Sequence, residues 1–227
     1  MDGGGVDSDG RAFTSAEEMW LEEVGEGDCH KKSQWYSQGV GYWEGVEATV
    51  DGVLGGYGHV NKPDIEGSEA FLKSILAEKF PDAGKGRHLV ALDCGSGIGR
   101  ITKNLLIRYF NEVDLLEPVS HFLETARSNL AAENPTAVDE HRAVNFFCHP
   151  LQEFTPEAGR YDIIWVQWCI GHLSDDDFLS FFQRAKDQKG FPDELFAVRM
   201  YALTTELPKR VSSSRIKRPA NRPAIIK

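Results

Sequence analysis

Asp93, Gly95, Gly97, Gly99, Arg100 and Glu117 are the residues whose types and spacing can do chemistry together. The glycines lie in Val90-Ala-Leu-Asp-Cys-Gly-Ser-Gly-Ile-Gly-Arg100, after an apolar burst, Leu89 to Leu92, and before an amphipathic stretch, Arg100 to Phe110. That order predicts a strand, a tight turn and a helix. Missing Cβ atoms let backbone approach a ligand closely, and the helix N-terminus behind the turn presents unpaired N–H groups. Dinucleotide sites hold a pyrophosphate on a similar turn. Two carboxylates favour S-adenosylmethionine instead. Asp93, just before the first glycine, can orient a cationic amino-acid moiety; Glu117, ending Val113-Asp-Leu-Leu-Glu117, can accept hydrogen bonds from a ribose diol. The glycine spacing also departs from the Gly-x-Gly-x-x-Gly of dinucleotide sites. A purely structural glycine turn is the third reading.

The elements that must position these residues are legible as alternating apolar runs. A strand is predicted at Val113 to Glu117, a helix from about Ser120 to Ala132, a strand at Val144 to Cys148 and another at Tyr161 to Trp168. A near-continuous apolar strand is what a parallel sheet covered on both faces requires. Ser174 then caps a helix whose first turn is acidic, with Leu173 and Phe178 as a hydrophobic staple. Strands alternating with helices imply an open, doubly wound α/β sheet with its ligand at the carboxyl ends of the strands. Those ends carry Asp93 to Gly99, Glu117, the loop after Pro150, and Gln167 to His172.

At 227 residues the chain suits one domain with a full core. Flanking it, residues 1–34 read as a flexible, acidic, Gly-rich extension with one short helix near Ser15 to Val24, and residues 206–227 as a basic, disordered tail. Lys-Arg pairs in that tail fit either a nuclear address or a solvated segment without a reader. The net charge of −10 argues against a nucleic-acid surface. No apolar stretch has membrane-spanning length and the first residues do not form a signal segment, so a cytoplasmic or nuclear protein is expected. Cysteines 29, 94, 148 and 169 show no metal-ligand spacing, and Cys94 and Cys169 read as buried, reduced thiols.

Four segments carry a resemblance: Val50-Asp-Gly-Val-Leu-Gly-Gly-Tyr-Gly-His-Val60, Leu92-Asp-Cys-Gly-Ser-Gly-Ile-Gly-Arg-Ile-Thr-Lys103, Leu151-Gln-Glu-Phe-Thr-Pro156 and Tyr161-Asp-Ile-Ile-Trp-Val-Gln-Trp-Cys-Ile-Gly-His-Leu173. Across about residues 35 to 186 the chain resembles the eukaryotic protein α-N-terminal methyltransferases. These transfer methyl groups from S-adenosyl-L-methionine to the α-amine of proteins exposing Xaa-Pro-Lys. The resemblance implies a class I methyltransferase fold, with Gly95, Gly97 and Arg100 at the methionine end of the cofactor, Glu117 at the ribose, Leu151 and Gln152 beside the adenine, and Gln167 near the sulfonium. It places Tyr42, Trp43, Leu54, Tyr57, Trp168 and His172 in an aromatic channel and hairpin holding the peptide. Core packing is the competing account for each aromatic and the better one for Trp165, which alternates along a buried strand. His172 is the remaining candidate base, against a purely structural histidine.

The resemblance breaks after about residue 186. Family members continue into a Gly-x-x-x-Pro-x-Gly turn, a fifth strand ending Lys-Asp-Asn, an acidic segment, a helix and a further strand. Here Gln183-Arg-Ala-Lys leads directly to Gln188-Lys-Gly-Phe-Pro-Asp-Glu-Leu-Phe-Ala-Val-Arg-Met-Tyr-Ala-Leu203, which resembles the family's final strand. The sheet is therefore expected to be incomplete at its C-terminal part, leaving Ile163 to Trp168 as an open edge that Phe196 to Leu203 would fill in part. Two functions follow: an N-terminal methyltransferase, or a shortened form that binds cofactor or a partner without turnover or folds poorly.

Overall fold

The computed structural model describes residues 4–6, 10–25, 28–131, 141–187 and 196–199; the basic tail at 206–227 lies outside them. The chain forms two units, one holding the residues up to Gly45 and one starting at Val46.

In the first unit a two-residue antiparallel ribbon, β1 (Gly5–Val6) and β2 (Ala12–Phe13), precedes α1 (Ala16–Glu23). Ser15 caps α1 by accepting the Glu18 N–H at 3.1 Å, as the predicted short helix needs. α2 (Cys29–Glu44) starts at Asp28, whose carboxylate accepts the His30 and Lys31 N–H groups. Buried Trp35 meets Trp20 edge-on, with ring centroids 5.7 Å apart. The domain boundary drawn after residue 34 falls after Gly45, because α2 runs through it unbroken.

The second unit opens with α3 (Val50–Val53), a 3-10 turn (Gly58–Val60) and α4 (Asn61–Lys79). There follow β3 (Val90–Cys94), α5 (Arg100–Asn104), β4 (Glu112–Leu116), α6 (Ser120–Ala131), β5 (Arg142–Phe147), β6 (Ile163–Gln167), α7 (Asp175–Asp187) and β7 (Phe196–Arg199). The sheet order is β5-β4-β3-β6-β7, and every pair is parallel. β3 and β6 are buried at every position, as a sheet covered on both faces demands. The chain builds outward from β3 through β4 to β5, then crosses back to β6 on the other side. This reversal makes the carboxyl ends of β3 and β6 the topological switch point, where such sheets bind ligands.

The helix expected from Arg100 to Phe110 stops at Asn104 and tightens to a 3-10 turn over Leu106–Arg108. Leu105, Leu106 and Phe110 are all fully buried, and the tightening lets two adjacent leucines face the core while the chain reverses into β4. At α7 the Ser174 carbonyl accepts the Phe178 N–H at 2.9 Å, so Ser174 starts that helix as expected. Cys94 is fully buried, and the Cys169 thiol donates to its carbonyl at 3.2 Å.

The open edge expected at Ile163 to Trp168 is occupied. β7 lies along β6 with Ile164 opposite Phe196 and Gln167 opposite Arg199, so the final strand takes the place beside β6. A chain ending at Asp187 should expose fully buried β6 and unfold at least about 5 °C lower, the size of shift that ~2 kcal/mol gives in a domain of this length. Calorimetry decides it: equal transition temperatures would mean that β7 adds nothing to the sheet.

Candidate functional site

At the carboxyl end of β3 three glycines take left-handed backbone angles, with φ of 65° at Gly95, 54° at Gly97 and 75° at Gly99. The turn wraps a single acceptor: the Leu116 carbonyl takes the Gly95 N–H at 2.8 Å and the Ser96 N–H at 3.1 Å. Gly95 must be glycine for a second reason. A Cβ there would lie 2.5 Å from the Cys169 Cβ, so the turn after β6 packs directly on it. The glycines thus serve packing and conformation before any ligand is considered.

Carboxylates close the turn. Glu117 is buried; its Oε2 accepts the Gly97 N–H at 2.9 Å and its Oε1 the Val119 N–H at 3.0 Å. Burial pushes Glu117 up to about 7 despite these two donors. Asp93 takes the Thr102 hydroxyl at 2.7 Å and is pushed up to about 6 by the same cause, which the Arg100 charge only partly offsets. Beside them the Ser96 hydroxyl is buried with no hydrogen-bond partner among the described residues. A buried hydroxyl without a partner is costly and marks a place that a polar ligand can satisfy.

Arg100, the first residue of α5, is buried against α4. Its Nη1 donates to Asp64 Oδ2 at 2.8 Å and to Asn61 Oδ1 at 3.0 Å. Gln167, ending β6, donates its amide to both oxygens of Asp64 at 2.9 Å, and the Trp168 indole reaches Asp64 Oδ1 at 3.3 Å. Arg100, Gln167 and Trp168, from two segments, therefore converge on a carboxylate that sequence reasoning missed. Its signal was present in α4, whose buried positions are Asp64, Ser68, Leu72 and Leu76. One helical stripe that is apolar at one end and acidic at the other marks the acid as partnered.

The loop after β5 is held from α7. Arg184 donates to the carbonyl oxygens of Gln152 at 2.8 Å and Phe154 at 3.1 Å, fixing the turn that carries half-buried Leu151 and Gln152. His172 closes the 3-10 turn after β6, where burial lowers its pKa. Trp165 is fully buried and donates its indole N–H to Gln167 at 2.9 Å, as the core-packing account requires.

Leu54 and Tyr57 follow α3 and flank Gly55 and Gly56, which take φ of 63° and 87°. Thr49 caps α3 through the Gly52 N–H, and Asp51 accepts the Gly58 N–H, which folds the segment on itself. A Cβ at Gly97 would touch Val53 at 3.6 Å, so this segment approaches the glycine turn. Leu54 is half-buried and Tyr57 exposed. Tyr42 and Trp43 stack edge-on at 5.1 Å on α2, in the first unit.

Among known proteins, residues 31–187 match the family described as AdoMet dependent proline di-methyltransferase. Alpha N-terminal protein methyltransferase 1 of Arabidopsis thaliana is 56% identical, with 100% of each chain covered. That alignment runs over 279 positions, so 279 less 227, or 52, have no residue of this chain. The human N-terminal Xaa-Pro-Lys N-methyltransferase 1 is 45% identical over 155 residues, 68% of this chain and 66% of that one. A solved SAM-dependent methyltransferase from Leishmania major superposes with a TM-score of 0.67 at 38% identity, covering 85% of this chain and 72% of that one.

The two reasons for glycine at the turn separate by substitution. Gly97→Ala should cost about 1 kcal/mol for its left-handed backbone alone. Gly95→Ala adds the collision with Cys169 and should cost about 2 kcal/mol or more. Denaturant unfolding checks the order, and equal losses would remove the packing argument.

Proposed function

Because this chain belongs to the AdoMet-dependent proline di-methyltransferase family, we propose that it methylates the α-amine of proteins exposing Xaa-Pro-Lys, using the carboxyl ends of β3, β4 and β6. The single observation that carries the reading is the turn at Gly95 to Arg100: left-handed glycines, a buried unpartnered Ser96 hydroxyl and a buried Glu117 carboxylate beside it. These residues fit S-adenosylmethionine, which when bound supplies the methyl group.

Gly95 and Gly97 leave room for the methionine end, and the guanidinium of Arg100 meets its carboxylate. Glu117 turns to the ribose diol, and Leu151 and Gln152 bracket the adenine on a turn that Arg184 holds. Gln167, pinned by Asp64 and Trp165, faces the sulfonium end with a fixed amide. On the substrate side, exposed Tyr57 and Trp168 and half-buried Leu54 receive the proline ring, which has no N–H to satisfy. The α-amine has an ordinary pKa of about 7.7 to 8.0, so a modest base suffices. Neutral His172 can accept its proton, and aligning the amine lone pair contributes most of the rate.

The second reading, a shortened form without turnover, is favoured by the family match ending at 187 and by the 52 positions missing against the Arabidopsis relative, 279 less 227. The resemblance puts an Asn and the acids that pair with the substrate Lys in the family stretch that follows about residue 186 and is missing here. Restoring the stretch should raise turnover of a Ser-Pro-Lys peptide on the order of a hundredfold, since an error near 1 Å in positioning costs about that much. The present chain should discriminate little between Ser-Pro-Lys and Ser-Pro-Gln. Steady-state rates on both peptides decide between the readings, and strong Lys preference at undiminished rate would show that the missing acids are not needed.

Glu117 gives the site a pH dependence. Its folded value of about 7 lies above its ordinary 4.5, so its contribution to stability is full below 4.5 and lost as pH rises through 7. Ribose hydroxyls donate to the ionised form, so S-adenosylhomocysteine affinity should fall below pH 7, by up to about tenfold per unit. Calorimetry between about pH 5.5 and 8.5 tests it; a flat profile would remove Glu117 from the ribose.

A further inference from the structure

The Asp64 carboxylate is buried to 1% exposure on α4, yet it is shared by groups from two other segments. It accepts Nη1 of Arg100 at 2.8 Å, the Gln167 amide at 2.9 Å and the Trp168 indole N–H at 3.3 Å. The donors have little freedom to turn elsewhere. Gln167 Oε1 is taken by the Trp165 indole at 2.9 Å, so the other end of that amide must face Asp64. Consecutive residues of an extended strand point to opposite faces. Trp168 leaves the extended conformation with a φ of 64°, uncommon for a bulky residue, and this lets Gln167 and Trp168 meet the same carboxylate.

We propose that Asp64 is a positioning residue that ties the cofactor pocket to the substrate side, through one buried carboxylate holding Arg100, Gln167 and Trp168. The inference rests on the methyltransferase reading for what the two sides bind; the shared contact itself does not depend on it. An occupant that pulls on Arg100 alters the charge left for Trp168, so events on the two sides are linked, and linkage of this kind is reciprocal.

Asp64→Asn keeps the volume but removes the charge, and in either orientation its NH2 faces two of the three donors. Three measurements are made on the full chain without turnover: the Trp168 indole ¹⁵N signal, S-adenosylhomocysteine affinity by calorimetry, and Ser-Pro-Lys peptide affinity with S-adenosylhomocysteine present. Asp64→Asn should move the Trp168 signal and weaken S-adenosylhomocysteine about tenfold. Its effect on peptide affinity should be at least about fivefold smaller in a Trp168→Phe background, which lacks the indole N–H. Effects that simply multiply, or an unmoved indole signal, overturn the proposal. If Asp64→Asn shows no cooperative unfolding, Trp168→Phe alone decides: weaker S-adenosylhomocysteine binding supports the linkage, and unchanged binding refutes it. A parent chain that binds no S-adenosylhomocysteine removes the functional reading instead, and the indole signal then decides the role of Asp64.

Discussion

The Leu116 carbonyl and the Glu117 carboxylate together hold the end of β4 against the turn after β3, and the site depends on that clamp. Gly95 and Ser96 donate to the carbonyl and Gly97 to the carboxylate, so three successive N–H groups are spent on two neighbouring residues. Only glycines at the left-handed positions let the chain make this wrap. The clamp is also electrostatically tense. Burial pushes both Asp93 and Glu117 up, and the Asp93 charge further raises the cost of ionising Glu117. A ligand bringing hydroxyl donors and positive charge relieves that tension, which is why perturbed carboxylates and an unpartnered Ser96 hydroxyl gather here rather than elsewhere in the sheet.

Much of this was legible locally. β3, β4 and β6 show as apolar runs because parallel strands are buried on both faces, and Ser15 and Ser174 announce helix starts through short-range hydrogen bonds. The glycine turn was legible because its requirement, positive φ, is a property of single residues. Asp64 was not, because its partners lie 36 and 103 residues away and only the packed fold brings them together. The break at Leu105 was hidden for a related reason. An amphipathic pattern continued through it, while the demand that two adjacent leucines both face the core comes from the sheet beneath. The helical turn before Leu54 is built by equally local bonds, a Thr49 cap and an Asp51 side chain that accepts the Gly58 N–H.

The sheet edge shows why losing a strand need not open a fold. A buried parallel strand needs backbone partners of the right spacing more than it needs particular side chains. β7 supplies that register along β6 from Phe196 to Arg199. Backbone pairing carries no information about chemistry, however. At the site end of β7 the register sets Arg199 beside Gln167, where the resemblance gives an Asn followed by acids. In the sheet, β3 and β4, which carry the glycine turn and Glu117, lie on the other side of β6 from β7, so the pairing that closes the β6 edge takes none of the hydrogen bonds that hold that turn.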